Sequence, residues 1–420
     1  MTQIKSLRTG IKFKDTPIGK IPVDWEVTKL GDVVTAFYNG GTPDTKKKEY
    51  WDGVIPWITG ADFINQKVGQ IRKYITPEGV KNSATNIVPK GNLLVVTRTG
   101  VGKLAIAPFD LAISQDISGV IPDNQKTVSD FLFWNLNYND KNLKTLRQGT
   151  SINGILREDL SSFLISLPPL PEQKKIAEIL TTVDDAIEET DRIIEKTKEL
   201  KKGLMQKLLT YGIGHKKFKK TEIGEIPVEW EVVRLNKVVK EFYNGGTPDT
   251  KVKEYWNGNI PWVTGADFIN QRIDQIRRYI TMEGVKNSAT NLISKGNLLI
   301  VTRTGVGKLA IAPFDIAISQ DITGVITNTK RLLPDFLYRF LDYHEKKLKS
   351  LVQGTSINGL LREDLASLNI CLPPLEEQKE ITDILTTLDL DIDNEKAIKQ
   401  TLESLKKSLM QVLLTGRVRV

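Results

Sequence analysis

The stretch "TRTGVGK", from Thr97 to Lys103, places Arg98 and Lys103 on either side of two glycines. An arginine guanidinium offers paired donors in a rigid plane that match O6 and N7 of guanine, whereas a lysine ammonium acts as a point charge for a phosphate. The apolar run "LLVV" ending at Val96 reads as a buried strand that projects Thr97, Arg98 and Thr99 into a turn. A second candidate is "NGGTPDTKKKEYW", in which Gly40 and Gly41 permit close backbone approach and Thr42, Thr45, Lys46 and Lys48 can bind phosphates. A third, "QGTSING", offers Gln148, Thr150, Ser151 and Asn153 as uncharged hydrogen-bonding groups. Each has a plainer reading. Arg98 could pair with Asp62 or Asp116, the glycine loop could be a tight turn with a solvated lysine face, and the third loop could cap the helix that begins near Arg157.

All three stretches occur twice, at a constant offset of 205 residues. "KFKDTPIGKIPVDWEV" from Lys12 returns as "KFKKTEIGEIPVEWEV" from Lys217, and no insertion or deletion separates the copies. The block from Gly91 to Asp110 differs from its repeat only at Val95 against Ile300. The matching candidates are therefore Gly245, Gly246, Thr247, Thr250, Lys251 and Lys253, then Arg303, Thr304 and Lys308, then Gln353, Thr355 and Ser356. Repeats of this length are duplicated domains rather than solenoid units.

Composition excludes several classes of chemistry. One cysteine, Cys371, rules out an internal disulfide, and two histidines, His215 and His344, leave little for a metal centre. "TRTGVGKL" lacks the glycine that a nucleotide-binding loop requires at Thr97 and the hydroxyl it requires at Leu104. No Asn-Pro-Pro-Tyr or Asp-Pro-Pro-Tyr stretch of an adenine methyltransferase occurs. Asp184 and Asp185 read as a solvated helix face rather than a catalytic pair. Trp51, Trp57 and Tyr50, with Trp256, Trp262 and Tyr255, read as core aromatics before they read as base-stacking groups. The net charge of +8 fits an anionic partner without proving one. A mean hydropathy of -0.23, no span-length apolar run and no secretory leader in "MTQIKSLRTG" place the expected location in the cytoplasm.

Two textures alternate along the chain. From about residue 12 to 167, short apolar runs such as "GVIPWITGADF" and "LAISQDISGVIP" read as strands, followed by a helix from Ser129 with Phe131, Leu132, Leu136, Leu143 and Leu146 on its buried face. After "LPPLPEQ" a heptad takes over: Leu180, Ile187, Ile194 and Leu208 in one register, Ile176, Val183 and Leu204 in the other. The second copy supplies Leu385, Ile392 and Leu413, then Ile381, Leu388, Leu402 and Leu409. Thr190, Thr197, Lys201, Lys399 and Lys406 interrupt this seam, and Ile179, Ile193, Ile384, Ile398 and Leu405 widen the apolar face beyond it. Helices of this extent are about 55 to 60 Å long and need partners.

The pattern predicts an α+β chain in four segments: a globular domain at 1–170, a spacer helix at 171–213, a second globular domain at 214–375 and a second helix at 376–420. If the two ends of each globular domain lie together, the first helix leaves and the second returns. The helices are then antiparallel, and the direct repeat becomes a pseudo-two-fold axis.

Taken together, "GGTPDTKKKEYW", "IPWITGADF", "GNLLVVTRTGVGK", "QGTSINGI" and "LPPLPEQKKIAEIL" resemble the target recognition domain and following helix of the specificity subunit of type I restriction-modification enzymes. The resemblance covers almost the whole chain, twice. It implies a non-catalytic subunit whose two target recognition domains each read half of a split double-stranded DNA sequence. It also implies helices that set the spacing and dock two modification (methyltransferase) subunits, which bind S-adenosylmethionine, with restriction subunits joining that complex. In the family the two domains more commonly differ; here they are nearly alike. Two like readers about a two-fold axis imply an inverted, interrupted palindrome. The alternative is a coiled-coil adaptor that binds proteins rather than DNA.

Overall fold

The computed structural model describes residues 11–146, 154–273, 275–352 and 359–420. They form two compact units, Met1–Asp191 with Ala397–Val420, and Arg192–Lys396. The division falls inside the two long helices, Leu170–Tyr211 and Leu375–Leu413, rather than at the ends of the globular segments. The reason is packing. Ile176, Leu180, Leu413 and Leu414 belong to the same buried cluster as Trp25, Phe131 and Ile165, so each unit completes its core with parts of both helices.

In the first unit one four-stranded sheet has the order Leu104–Ile106, Leu93–Val96, Ile117–Pro122, Val34–Asn39. A second has the order Lys73–Ile75, Trp51–Ile58, Leu111–Ile113, Ile87–Val88, with the middle pair parallel. Strand Leu93–Val96 explains why "LLVV" does not alternate. Leu93 and Val95 face the cluster under the helix Ser129–Tyr138, Leu94 and Val96 face the cluster shared with Ile58, Leu111 and Ile113, and all four are fully buried. The predicted single helix from Ser129 is two, Ser129–Tyr138 and Asp140–Thr145, because Asn139 leaves helical geometry between them. Phe131, Leu132, Leu136 and Leu143 are buried as expected, and Trp134 joins them.

Strand Glu26–Lys29 pairs antiparallel with Leu164–Leu167, so the globular segment begins and ends at one place. The helix that follows is anchored by its own first turn. Gln173, fully buried, donates to the carbonyls of Lys126 and Pro168 at 2.9 Å each and accepts from the Thr127 hydroxyl at 2.8 Å. Glu172 accepts from the Trp25 indole at 3.0 Å and from Arg419, whose guanidinium also grips Asp24. This accounts for "PEQ" chemically: one residue binds backbone, the other an indole and a cation.

Within the first unit the helices run antiparallel. Asp184 meets Lys406 at 2.5 Å and Asp191 meets Lys399 at 2.7 Å, so a step forward along one helix is an equal step back along the other. The lysines that interrupt the heptad are therefore its register keys. Asp184 corrects an expectation too, being an inter-helix ion-pair residue rather than part of a solvated face; Asp185 remains largely exposed.

The second unit repeats this arrangement on residues 192–396. Its sheets follow the same strand orders, and Glu231–Arg234 pairs with Asn369–Leu372. Glu377 takes the Trp230 indole at 2.9 Å, and Gln378 takes the carbonyls of Arg331 and Pro373 at 2.8 Å. The cation on Glu377 and Glu229 is replaced by His215, whose ring nitrogens lie 2.8 and 3.1 Å from them. Lys201 to Asp389 at 2.6 Å, with Ile213 N–H to Glu377, again makes the helices antiparallel.

Of the seam residues, Ile176, Leu180, Ile194, Leu208, Ile381, Leu385, Ile392 and Leu413 are buried. Val183, Ile187, Leu204, Leu388, Leu402 and Leu409 are half-buried. Cys371 is buried, and burial pushes its thiol up to about 11, so it is inert. Among the described residues no helix is long and apolar enough to cross a membrane, and no cluster of side chains could hold a metal ion.

Asp389 carries more than its counterpart Asp184. Burial raises its pKa, but hydrogen bonds and charge from Lys201 and Arg339 outweigh this and hold the carboxyl below its ordinary range. Arg339 is only 7% exposed. Asp389→Ala strands that guanidinium and is expected to cost about 3 to 5 kcal/mol, whereas Asp184→Ala, which frees only Lys406, is expected to cost about 1 kcal/mol. Urea unfolding of the two variants measures the difference.

Candidate nucleic-acid interface

The Arg98 turn hangs from the buried strand Leu93–Val96. Val96 N–H donates to Lys103 O at 2.9 Å and Gly102 N–H to Val96 O at 3.0 Å, closing a hairpin in which Gly100 and Gly102 both take φ of +91°. Thr97 N–H and Arg98 N–H donate to Asp116 O at 2.8 and 3.3 Å. The backbone of Arg98 is thus fixed while its side chain is exposed and, among the described residues, makes no ion pair or hydrogen bond. The plainer reading fails for a specific reason. Asp62 is taken by Arg72 at 2.5 Å, and the Asp116 carboxylate accepts from the Thr99 hydroxyl at 3.3 Å. Arg303 is likewise exposed, with Asp267 taken by Arg277.

Lys103 does otherwise than expected. Its ammonium donates to Gly60 O at 3.1 Å and Phe63 O at 3.4 Å, and Lys308 repeats this on Gly265 and Phe268. Most of its donor capacity is spent inside the domain, so it pins the turn rather than waiting for a phosphate.

The glycine loop also serves its own domain first. A Cβ on Gly40 would lie 1.8 Å from Ser114 O, and one on Gly41 2.5 Å from Thr85 N. The close approach that these glycines allow is therefore to their own backbone. Trp57 donates its indole N–H to Gly41 O at 3.0 Å and Trp51 donates to Asp44 O at 3.1 Å, the two rings packing edge to face at 5.3 Å. The second unit repeats both bonds through Trp262 and Trp256. The tryptophans are loop braces. On the loop they brace, Thr42, Thr45, Lys46 and Lys48 are exposed, as are Thr247, Thr250, Lys251 and Lys253. The four lysines make no ion pair among the described residues.

The loop residues Gln148, Thr150, Ser151, Gln353, Thr355 and Ser356 lie outside the described residues, as does Asn153. The residues that follow do not. Ile155 N–H donates to Thr97 O at 2.7 Å and Leu360 N–H to Thr302 O at 2.7 Å, which seats the end of each "QGTSING" beside the arginine turn.

Sequence reasoning passed over Gln115 and Gln320. Each sits exposed at the turn "SQDI" and its side-chain oxygen accepts from Thr42 or Thr247. Their signal was available: a polar tip between two apolar strands, unchanged in both copies. It was missed because the strands on either side absorbed the reading. Arg72 and Arg277, in "IRKY" and "IRRY", were also missed, and they are what frees Arg98 and Arg303 from Asp62 and Asp267.

A sequence profile of the type I restriction modification DNA specificity domain matches residues 22–199 and again 227–404. The chain belongs to the type I specificity subunits. It is 32% identical over 422 residues to the putative type I restriction enzyme MjaX specificity subunit of Methanocaldococcus jannaschii, covering 97% of each chain. It is 30% identical to the MjaVIII specificity subunit of the same organism, covering 97% of this chain and 96% of the relative. The S subunit of a type I system from M. genitalium has the same fold, with a TM-score of 0.63 at 15% identity over 98% of this chain and 99% of that one. The specificity subunit supplies DNA recognition, not catalysis, to a restriction-modification system.

One acid in each domain of this specificity subunit sets a pH dependence. Burial would raise the pKa of Asp62, but hydrogen bonds from Arg72, the Thr59 N–H and the Thr59 hydroxyl, with the charge of Arg72, bring it below the ordinary range; Asp267 behaves alike. A lowered folded pKa contributes stability above the unfolded pKa, about 3.9, and loses it as pH falls through the folded value. Asp62→Asn with Asp267→Asn is expected to cost about 1 to 3 kcal/mol at pH 7. That deficit should shrink as pH falls below the unfolded value of about 3.9 and through the lower folded one, where the parent protonates. Urea midpoints of parent and variant across pH measure it.

Proposed function

We propose that this specificity subunit reads an interrupted inverted palindrome, one half-site of about 3 to 4 base pairs per domain on opposite strands, about 34 to 36 Å apart. The observation that carries the reading is identity over the three stretches that carry Thr42, Arg98 and Gln115. Residues 39–46, 97–110 and 112–117 recur without a change as 244–251, 302–315 and 317–322. The hydrogen bonds that set Thr42 on Gln115 and Thr97 on Asp116 recur as well. Like surfaces select like bases, so divergence elsewhere in the domains does not enter the target.

Arg98 and Arg303 take the guanine of each half-site in this reading, and Lys46, Lys48, Lys251 and Lys253 take phosphates. Double-stranded DNA and two modification subunits are the partners, with restriction subunits joining them. S-adenosylmethionine is bound by the modification subunits. The subunit contributes address and placement.

Single-molecule methylation sequencing of a methylation-free host expressing the chain with its modification subunit is expected to return a split palindrome modified on both strands. Two unrelated half-sites would refute the reading. Arg98→Ala with Arg303→Ala should weaken specific binding about 10- to 100-fold and non-specific binding far less.

Docking of the modification subunits is supported by apolar side chains that the helices leave outside. Ile179 and Ile384 pack on the cores of their own units. Ile398 and Leu405 in the first unit are 49% and 44% exposed, and their counterparts Ile193 and Leu200 in the second are 39% and 54% exposed. One helix face thus recurs once per unit. Ile398→Glu with Leu405→Glu is expected to leave a complex with one modification subunit fewer, read by native mass spectrometry; an unchanged mass would remove this surface from consideration.

A further inference from the structure

We infer that Gln115 and Gln320 are adenine-reading residues, each held in reading geometry by a threonine, so that every half-site contains an adenine contact beside the arginine's guanine contact. The inference rests on the DNA-reading role proposed for the Arg98 and Arg303 loops.

The argument begins at the turn. Ser114 is 1% exposed; its N–H donates to Ile58 O at 2.9 Å, its hydroxyl accepts from Asp116 N–H at 3.3 Å, and its carbonyl accepts from Ile117 N–H at 3.0 Å. Gln115 therefore projects from a turn fixed on both sides. Its neighbour Asp116 accepts the backbone N–H groups of Thr97 and Arg98, which places Gln115 next to the arginine turn. On the other flank Gly41 N–H donates to Ile113 O at 2.9 Å, which brings Thr42 across to the glutamine. Thr42, Gln115 and Arg98 thus come from three separate loops joined by backbone hydrogen bonds.

The threonine decides what the amide can do. The Thr42 hydroxyl donates to Gln115 Oε1, so the amide is oriented with that oxygen toward the threonine. One Oε1 lone pair and both Nε2 protons remain without a partner among the described residues. That is the set required for a bidentate contact to adenine, accepting from N6 and donating to N7. A lone surface glutamine would lose rotamer entropy on binding; here part of that ordering is already done. The same pair recurs as Thr247 and Gln320, next to Asp321 and Thr302 in the same relation. Thr42 and Thr247 are positioning residues in this account, not phosphate ligands.

The test uses the full chain in complex with its modification subunit and a DNA library randomised through both half-sites. Gln115→Glu with Gln320→Glu keeps shape but exchanges a donor for an acceptor, which suits the N4 amine of cytosine. At one position per half-site the parent should prefer adenine, and the variant should lose that preference by about 10- to 100-fold and shift toward cytosine. Gln115→Glu alone should change one half-site only. Thr42→Val with Thr247→Val, which keeps shape and removes the hydroxyl, should weaken the same position by about 3- to 10-fold and leave the guanine position alone. Equal loss on every sequence, or an unchanged preference, would overturn the assignment. If Arg98→Ala with Arg303→Ala alters the preference while the glutamine variants do not, only the glutamine assignment falls. If neither does, the reading surface itself is misplaced.

Discussion

Everything distinctive about this chain depends on a four-residue strand pairing that closes each globular segment on itself, Glu26–Lys29 with Leu164–Leu167 and Glu231–Arg234 with Asn369–Leu372. Because the segment ends where it began, the helix that follows starts beside the entry of the chain. Other geometry would leave the long helices without antiparallel partners. The pairing is reinforced where it would otherwise fray: Gln173 and Gln378 bind the carbonyls around the proline pair, and Glu172 and Glu377 bind the tryptophan indoles. A short ladder thus becomes a fixed joint.

The joint tolerates substitution because the requirement is chemical rather than literal. Glu172 and Asp24 are bridged by the Arg419 guanidinium; Glu377 and Glu229 are bridged at the same place by the ring nitrogens of His215. Trp134 donates to Thr181 where Arg339 donates to Thr386. The reading loops show the opposite pattern, with no change over the stretches that carry Thr42, Arg98 and Gln115. Exposed positions outside these stretches differ in places, as at Val54 against Asn259 and Lys67 against Arg272.

Much of this was legible in the residues. The duplication, the strand and helix textures and the heptad all follow from patterns that burial imposes, and burial is periodic. The antiparallel pairing followed from chain order. What stayed hidden depends on contacts between segments distant in sequence. Nothing local marks Lys103 as a pin on Gly60 and Phe63, Asp184 as the mate of Lys406, or Gly40 as a residue pressed against Ser114. The lysines looked like interruptions because a heptad is read along one helix, whereas their carboxylates stand on the other. Arg98 was recognised for its type, but its freedom depended on Arg72 occupying Asp62.

The way the compact units divide the chain also fixes an order of events at the ribosome. The second unit is drawn from one uninterrupted stretch, residues 192–396, and is whole as soon as that stretch has emerged. The first unit, although its strands are made earliest, takes Leu413 and Leu414 into its main core and Arg419 onto its buried Glu172. Those contacts reach far along the chain, 247 residues from Arg419 to Glu172 and 395 from Arg419 to Asp24, and form only after the C-terminal helix has been made. The domain translated first is thus the one completed last, and until then it exposes the apolar face of its half-helix to whatever binds nascent chains.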